Sequence, residues 1–121
     1  LSEALGDSVA VTLIDKSDSF MFGYSKLDVL FGRSTVSEAR LPYREFVKPG
    51  VRFLQQTVTA IDPVAKRVTT DAGVFETDEL IIALGADYDL DATPGLEQGG
   101  NEFYSVAGAE KLRTILPTGT Q

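Results

Sequence analysis

Few residues of this chain can carry chemistry by themselves. Its 121 residues include no cysteine and no histidine. That removes thiolate nucleophiles, disulfide exchange, His or Cys metal sites and Ser-His-Asp triads together. The candidates left are carboxylates, and one of them is well placed. Val9-Ala10-Val11-Thr12-Leu13-Ile14 is a run of aliphatic and β-branched residues that stops at Asp15-Lys16. An unbroken run of this kind, rather than an alternating one, is the pattern of a strand buried on both faces. An acid closing such a strand can accept both hydroxyls of a ribose, as it does in doubly wound α/β folds. The companion of that acid is a G-x-G-x-x-G turn about twenty residues upstream. No such turn stands before Asp15. The chemistry therefore points to a bound cofactor, or to residues outside this chain.

Other clusters carry less. Phe20, Met21, Phe22 and Tyr24 form a dense aromatic patch. It reads first as core or interface, and second as the lining of a ligand site. Asp87, Asp89 and Asp91 alternate along a loop, but no calcium loop closed by a late bidentate glutamate fits around them. Solvated loop acids are the plainer account.

The elements that must position Asp15 follow from pattern. Leu1–Leu5 reads as the last turn of a helix closed by Gly6, and a chain opening inside a helix is expected to be truncated. After the strand Val9–Ile14, Ser25 with Asp28 three residues on resembles a capping box that opens a helix to Phe31. Gly32 would end it. Pro42 suits the first turn of another short helix, with Tyr43, Phe46 and Val47 on one face. Lys48-Pro49-Gly50 stops that helix. From Val51 the texture turns to β. Val51–Leu54 and Thr57–Ile61 read as one strand with a bulge or bend near Gln55-Gln56. Asp62-Pro63 makes a turn, and Arg67–Thr70 with Val74–Glu76 forms a hairpin across Asp71-Ala72-Gly73. Leu80-Ile81-Ile82-Ala83-Leu84 is a second unbroken apolar run, expected to be a central strand parallel to the first. Asp87–Asn101 reads as loop. Ser105 would cap a last helix, Val106–Leu116, which Pro117 stops. Thr118–Gln121 looks like a connection onward.

Composition bounds the rest. The length suits one domain with a real core. Net charge is −7, from 11 basic and 18 acidic residues, which argues against nucleic acid or an anionic membrane as partner. No apolar run reaches transmembrane length and no signal-peptide pattern is present. A cytoplasmic location is expected. No internal repeat or low-complexity stretch stands out.

Taken in order, these elements resemble the FAD-binding domain of the two-dinucleotide-binding-domain flavoproteins, the pyridine nucleotide-disulfide oxidoreductase superfamily. Three passages carry the resemblance. One is V-T-L-I-D-K with its acid. The second, and most specific, is V-R-F-L-Q-Q-T-V-T-A-I-D-P-V-A-K-R-V-T-T-D-A-G-V-F-E-T-D-E-L-I-I-A-L-G-A. It is similar to the family's strand, turn, K-x-V, D-G hairpin, acid and L-I-I-A-T-G. The third is T-P-G-L. The family's A-T-G reads Ala83-Leu84-Gly85 here, so a threonine hydroxyl is lost. The lack of C-x-x-x-x-C after the first acid is unlike the disulfide reductases. It is more like the branch of sulfide:quinone oxidoreductases, flavocytochrome c sulfide dehydrogenases and type II NADH dehydrogenases.

The resemblance implies an α/β fold. It would be a partial Rossmann-like FAD/NAD(P)-binding domain over residues 1–121, with parallel strands and an inserted β-meander. The first strand and glycine-rich turn would be missing, and the domain truncated at both ends. It implies that Asp15 binds the adenosine ribose and that Lys16 flanks the adenosine, although a solvated lysine explains Lys16 as well. It implies that Val58 offers main-chain groups to adenine, and that Ala83 and Gly85 pass close to the cofactor. The intact parent would be an FAD-dependent oxidoreductase, peripheral to the membrane, passing electrons from sulfide or NADH to a quinone or other acceptor. This chain alone is expected to lack FAD and activity. Two alternatives stay open. One is an inert fold fragment or interaction module, a homo-oligomer through exposed strand edges. The other is the superfamily's NAD-binding domain.

Overall fold

The computed structural model describes residues 2–116; the helix stop expected at Pro117 and the connection Thr118–Gln121 lie outside them. The strands along the chain are β1 (Val11–Asp15), β2 (Ser19–Met21), β3 (Arg40–Pro42), β4 (Val51–Gln55), β5 (Val58–Asp62), β6 (Arg67–Thr70) and β7 (Val74–Glu76). The helices are α1 (Ser2–Leu5), α2 (Ser25–Leu30), α3 (Val36–Ala39), α4 (Tyr43–Phe46), α5 (Leu96–Gly99) and α6 (Val106–Ile115). They fall into two compact units. One holds the chain up to Phe20 and Pro42–Leu84, and the other Met21–Leu41 and the chain from Gly85 onward.

In the first unit β1 and β4 pair in parallel without a slip. Val11 faces Val51, Leu13 faces Phe53 and Asp15 faces Gln55. The chain enters β4 through Gly50, whose φ of +79° suits a residue without a Cβ. The Gly50 carbonyl accepts from the Val11 N–H at 2.9 Å, so the turn that ends the Lys48-Pro49-Gly50 stretch also starts the pairing. The expected burial of this strand on both faces is not found. It begins at Val11 rather than Val9, and Thr12 and Leu13 are exposed. A two-stranded sheet explains this, since β1 and β4 have no further strand paired to either edge among the described residues.

β4 and β5 are not one bulged strand, as expected, but members of two sheets. β5, β6 and β7 form an antiparallel meander, with its irregularity between Val58 and Ala60. The residues between the sheets are pinned. Thr70, itself buried, donates its hydroxyl to Gln56 Oε1 at 2.7 Å. Thr57 and Asp71 exchange two bonds, Thr57 N–H to Asp71 Oδ1 and Asp71 N–H to the Thr57 carbonyl, each 3.0 Å. The hairpin turn thus holds the point where the chain changes sheets. The turn at Asp62-Pro63 forms as expected, with Asp62 Oδ1 accepting from the N–H groups of Val64 and Ala65.

Leu80–Leu84 is not a strand. It is without regular structure, and Ile81 and Leu84 are 71% and 79% exposed. An apolar run becomes a strand only where a neighbour takes up its N–H and C=O groups. No strand among the described residues pairs with this run.

In the second unit α2 packs against α6 and the pair buries Val29, Leu30 and Ala109. With Val68 of the other unit, these are the buried apolar side chains among the described residues. Among the described residues the core is therefore small, although the length would allow a larger one. Two caps differ in outcome. Ser105 caps α6 as expected, its Oγ accepting from the Gly108 N–H at 2.9 Å. Ser25 caps nothing: it is the first residue of α2, and the preceding Tyr24 makes no side-chain cap bond. The capping box belongs instead to Thr35 and Glu38, at the start of α3. The stretch read as loop, Asp87–Asn101, contains a 3-10 turn at Leu90–Ala92 and α5. Ser105→Ala is therefore expected to lower stability by about 1 kcal/mol, and Ser25→Ala by less than about 0.5 kcal/mol. The shift in urea midpoint measures both.

Candidate functional site

Ligands of open α/β sheets bind beyond the carboxyl ends of parallel strands. In this chain that end is Asp15 on β1 and Gln55 on β4. Each feature around it has a local cause. The Gln56 N–H donates to the Asp15 carbonyl at 3.0 Å, carrying the pairing one step past the strands. Gln55 Nε2 donates to the Lys16 carbonyl at 3.3 Å, so the turn after β1 is tied to β4. Within that turn Asp15 Oδ1 accepts from the Ser17 N–H at 2.8 Å, the Asx-turn geometry that lets an aspartate reverse its own chain.

The second carboxylate oxygen meets Tyr43, which pattern reading had placed only on the apolar face of a short helix. The Tyr43 hydroxyl donates to Asp15 Oδ2 at 2.8 Å. Its ring lies on Phe53 of β4, centroids 4.8 Å apart and planes tilted by 33°. The Tyr43 N–H donates to the Asp18 carbonyl at 2.9 Å. Pro42, with φ −60°, leads the chain into α4 at this point. The hydroxyl is thus held from both ends, by helix start and by ring. Burial first, and then the hydrogen bond to and charge of Asp15, push the Tyr43 phenol from 10.0 up to about 12. No sequence signal names this residue, because 28 positions separate it from Asp15.

The other expected site residues are placed as follows. Lys16 is exposed, and its carbonyl accepts from Gln55 Nε2. Val58 opens β5 in the meander, opposite Thr70. Ala83 and Gly85 lie in exposed chain without regular structure. Gly85 has φ +75° with open space where a Cβ would stand, so backbone conformation is sufficient reason for a glycine there. Asp15 and Lys16 are thus brought together with Tyr43 and Gln55, whereas Val58 sits in another sheet. Asp87, Asp89 and Asp91 are exposed, and no group of three or more acids among the described residues could hold a metal ion. A shallow groove of about 510 Å³ lies at the opposite end of the β1–β4 pair, lined by Ala10, Thr12, Gly50 and Arg52. It is remote from the carboxylate chemistry and is not the candidate site.

The Tyr43 phenol gives a direct check. The folded chain keeps a proton that the unfolded chain releases near pH 10, so stability falls as pH rises from about 10 to about 12. Tyr43→Phe removes that part of the decline. In spectrophotometric titration, Asp15→Asn brings the Tyr43 phenol back toward the ordinary range, and only partly, because burial remains.

No family model matches the sequence. Individual proteins do. The type II NADH:quinone oxidoreductase of Staphylococcus saprophyticus is 32% identical over 107 residues, which is 88% of this chain and 27% of that protein. The demethylphylloquinone reductase of Synechocystis sp. is 32% identical over 112 residues, 88% of this chain and 28% of its own length. The crystal structure of the sulfide:quinone oxidoreductase from Aquifex aeolicus superposes with a TM-score of 0.82 at 23% identity, covering 93% of this chain and 27% of that one. The chain spans little more than a quarter of the relatives it matches, and its mixed α/β fold with parallel strands is theirs. The sequence relatives and structural neighbours are two-dinucleotide-binding-domain flavoproteins of the pyridine nucleotide-disulfide oxidoreductase superfamily, and the chain is similar to a part of them.

Proposed function

We propose that this chain is one partial FAD/NAD(P)-binding domain that carries the adenosine-ribose grip of an FAD-dependent oxidoreductase. Asp15 carries the reading. It closes a parallel strand, and each of its carboxylate oxygens accepts a single protein hydrogen bond. A carboxylate takes about four such bonds, so each oxygen keeps capacity for one hydroxyl of a diol. The ribose half of the cofactor fits the residues present. The pyrophosphate half has no counterpart among them, since no G-x-G-x-x-G turn occurs in the 121 residues and such a turn supplies the helix N-terminus that holds phosphates. Lys16 flanks the adenosine, Val58 offers main-chain groups to adenine, and Ala83 and Gly85 allow close approach. Bound flavin would supply the electron transfer; no side chain here is an acid, base or nucleophile for it.

In the intact parent, electrons would pass from NADH or sulfide to a quinone-like acceptor. The names of the similar proteins support this. A quinone acceptor fits a parent held at the membrane periphery; no helix of the described residues is long and apolar enough to cross one.

The test uses the 121-residue chain and ADP, observed amide by amide in an NMR titration. The amides of Asp15, Lys16 and Ser17 are expected to move, and Asp15→Ala to abolish the movement. A chain whose amides stay fixed in excess ADP refutes the reading.

A second reading has its own observation. The run Ile81–Leu84 is exposed, and among the described residues neither it nor the outer edges of the β1–β4 pair has a strand partner. Such edges invite pairing between copies, which would make the chain an interaction module without cofactor. Light scattering is then expected to give a mass above 13.1 kDa, and a monomer counts against it. Flavin absorption that stays with the chain through desalting would exclude a cofactor-free module.

A further inference from the structure

We propose that Tyr43 is a positioning residue for ribose recognition: its hydroxyl fixes the Asp15 carboxylate so that one acceptor site on each oxygen faces a vicinal diol. The proposal rests on the reading of Asp15 as the ribose acid and goes one residue beyond it.

An aspartate carboxylate rotates in a broad well about its last torsion. One donor restrains it weakly, while two donors on different oxygens set its plane. Here the donors are the Ser17 N–H on Oδ1 and the Tyr43 hydroxyl on Oδ2, both at 2.8 Å. The first is part of the Asp15 turn itself and moves with it. The second comes from α4 and is anchored independently, through the Phe53 ring at 4.8 Å and the Asp18 carbonyl at 2.9 Å. Tyr43 therefore refers the carboxylate to β4 as well as to its own strand. A phenol pushed up to about 12 stays protonated throughout the neutral range, so it remains a donor to Asp15. With these donors in place, each oxygen keeps one acceptor site, and a vicinal diol presents one hydroxyl to each.

The experiment compares ADP with 2′-deoxy-ADP on the full 121-residue chain and on Tyr43→Phe, which keeps the ring on Phe53 and loses only the hydroxyl. The unsubstituted chain is expected to prefer ADP. In Tyr43→Phe the preference should fall about three- to tenfold, as expected for one hydrogen bond, because ADP loses more affinity than 2′-deoxy-ADP, which keeps a single hydroxyl for the carboxylate. A merely structural role would weaken both nucleotides alike, and that result overturns the proposal. So does an unchanged preference. So does a gain in ADP affinity, which would mean that the hydroxyl competes with the ribose. Asp15→Asn separates the two levels. If it abolishes the preference while Tyr43→Phe leaves it intact, only the positioning role fails. If neither variant alters the preference, or if the unsubstituted chain shows none, the ribose reading fails with it. A readout without ligand runs alongside, since the Asp15 carboxyl carbon resonance should shift in Tyr43→Phe and a fixed resonance overturns the positioning role.

Discussion

The site depends on the in-step parallel pairing of β1 with β4. Side chains along a strand alternate between faces, so a slip of one residue would carry Asp15 to the other side of the sheet. The register that sets Leu13 beside Phe53 also sets Asp15 beside Gln55. Phe53 then supplies the surface on which the Tyr43 ring rests. Apolar pairing and polar geometry are therefore one constraint. The residues that fix the strands fix the carboxylate as well.

The meander makes no direct contribution to that carboxylate, yet its hairpin governs where β4 stops. Gln56 and Thr57 are held by Thr70 and Asp71. The chain consequently leaves the parallel pair after Gln56, one step beyond Gln55, the residue that secures the turn after β1. A turn that pattern reading treats as plain connection thus sets the length of the sheet that carries the site.

Much of this was readable from residue order, and the failures share a cause. The end of β1 at Asp15, the hairpin about Asp71-Ala72-Gly73 and the Ser105 cap depend on neighbours a few residues away, and local pattern found them. Ser25 misled because a serine with an acid three residues on resembles a cap wherever the helix begins; here the helix begins one residue early. Leu80–Leu84 misled for a deeper reason. Its composition is that of a central strand, but being a strand is a property of two segments, and its partner is not among the residues described. Tyr43 could not be found at all by spacing. Its role arises only when Pro42 and Phe53 bring its ring to the end of β1.

The unpaired run at Leu80–Leu84 also bears on how copies of the chain behave toward one another. Bare apolar backbone attracts its own kind, and what opposes that attraction is long-range charge repulsion. At neutral pH the chain carries −7, enough to keep copies apart at low ionic strength and less so once salt screens it. Near its isoelectric point of about 4.4 the repulsion disappears while the adhesive segment stays exposed. The net acidity of the chain thus acts as the colloidal guard of an uncovered apolar run, and acidification would release that guard.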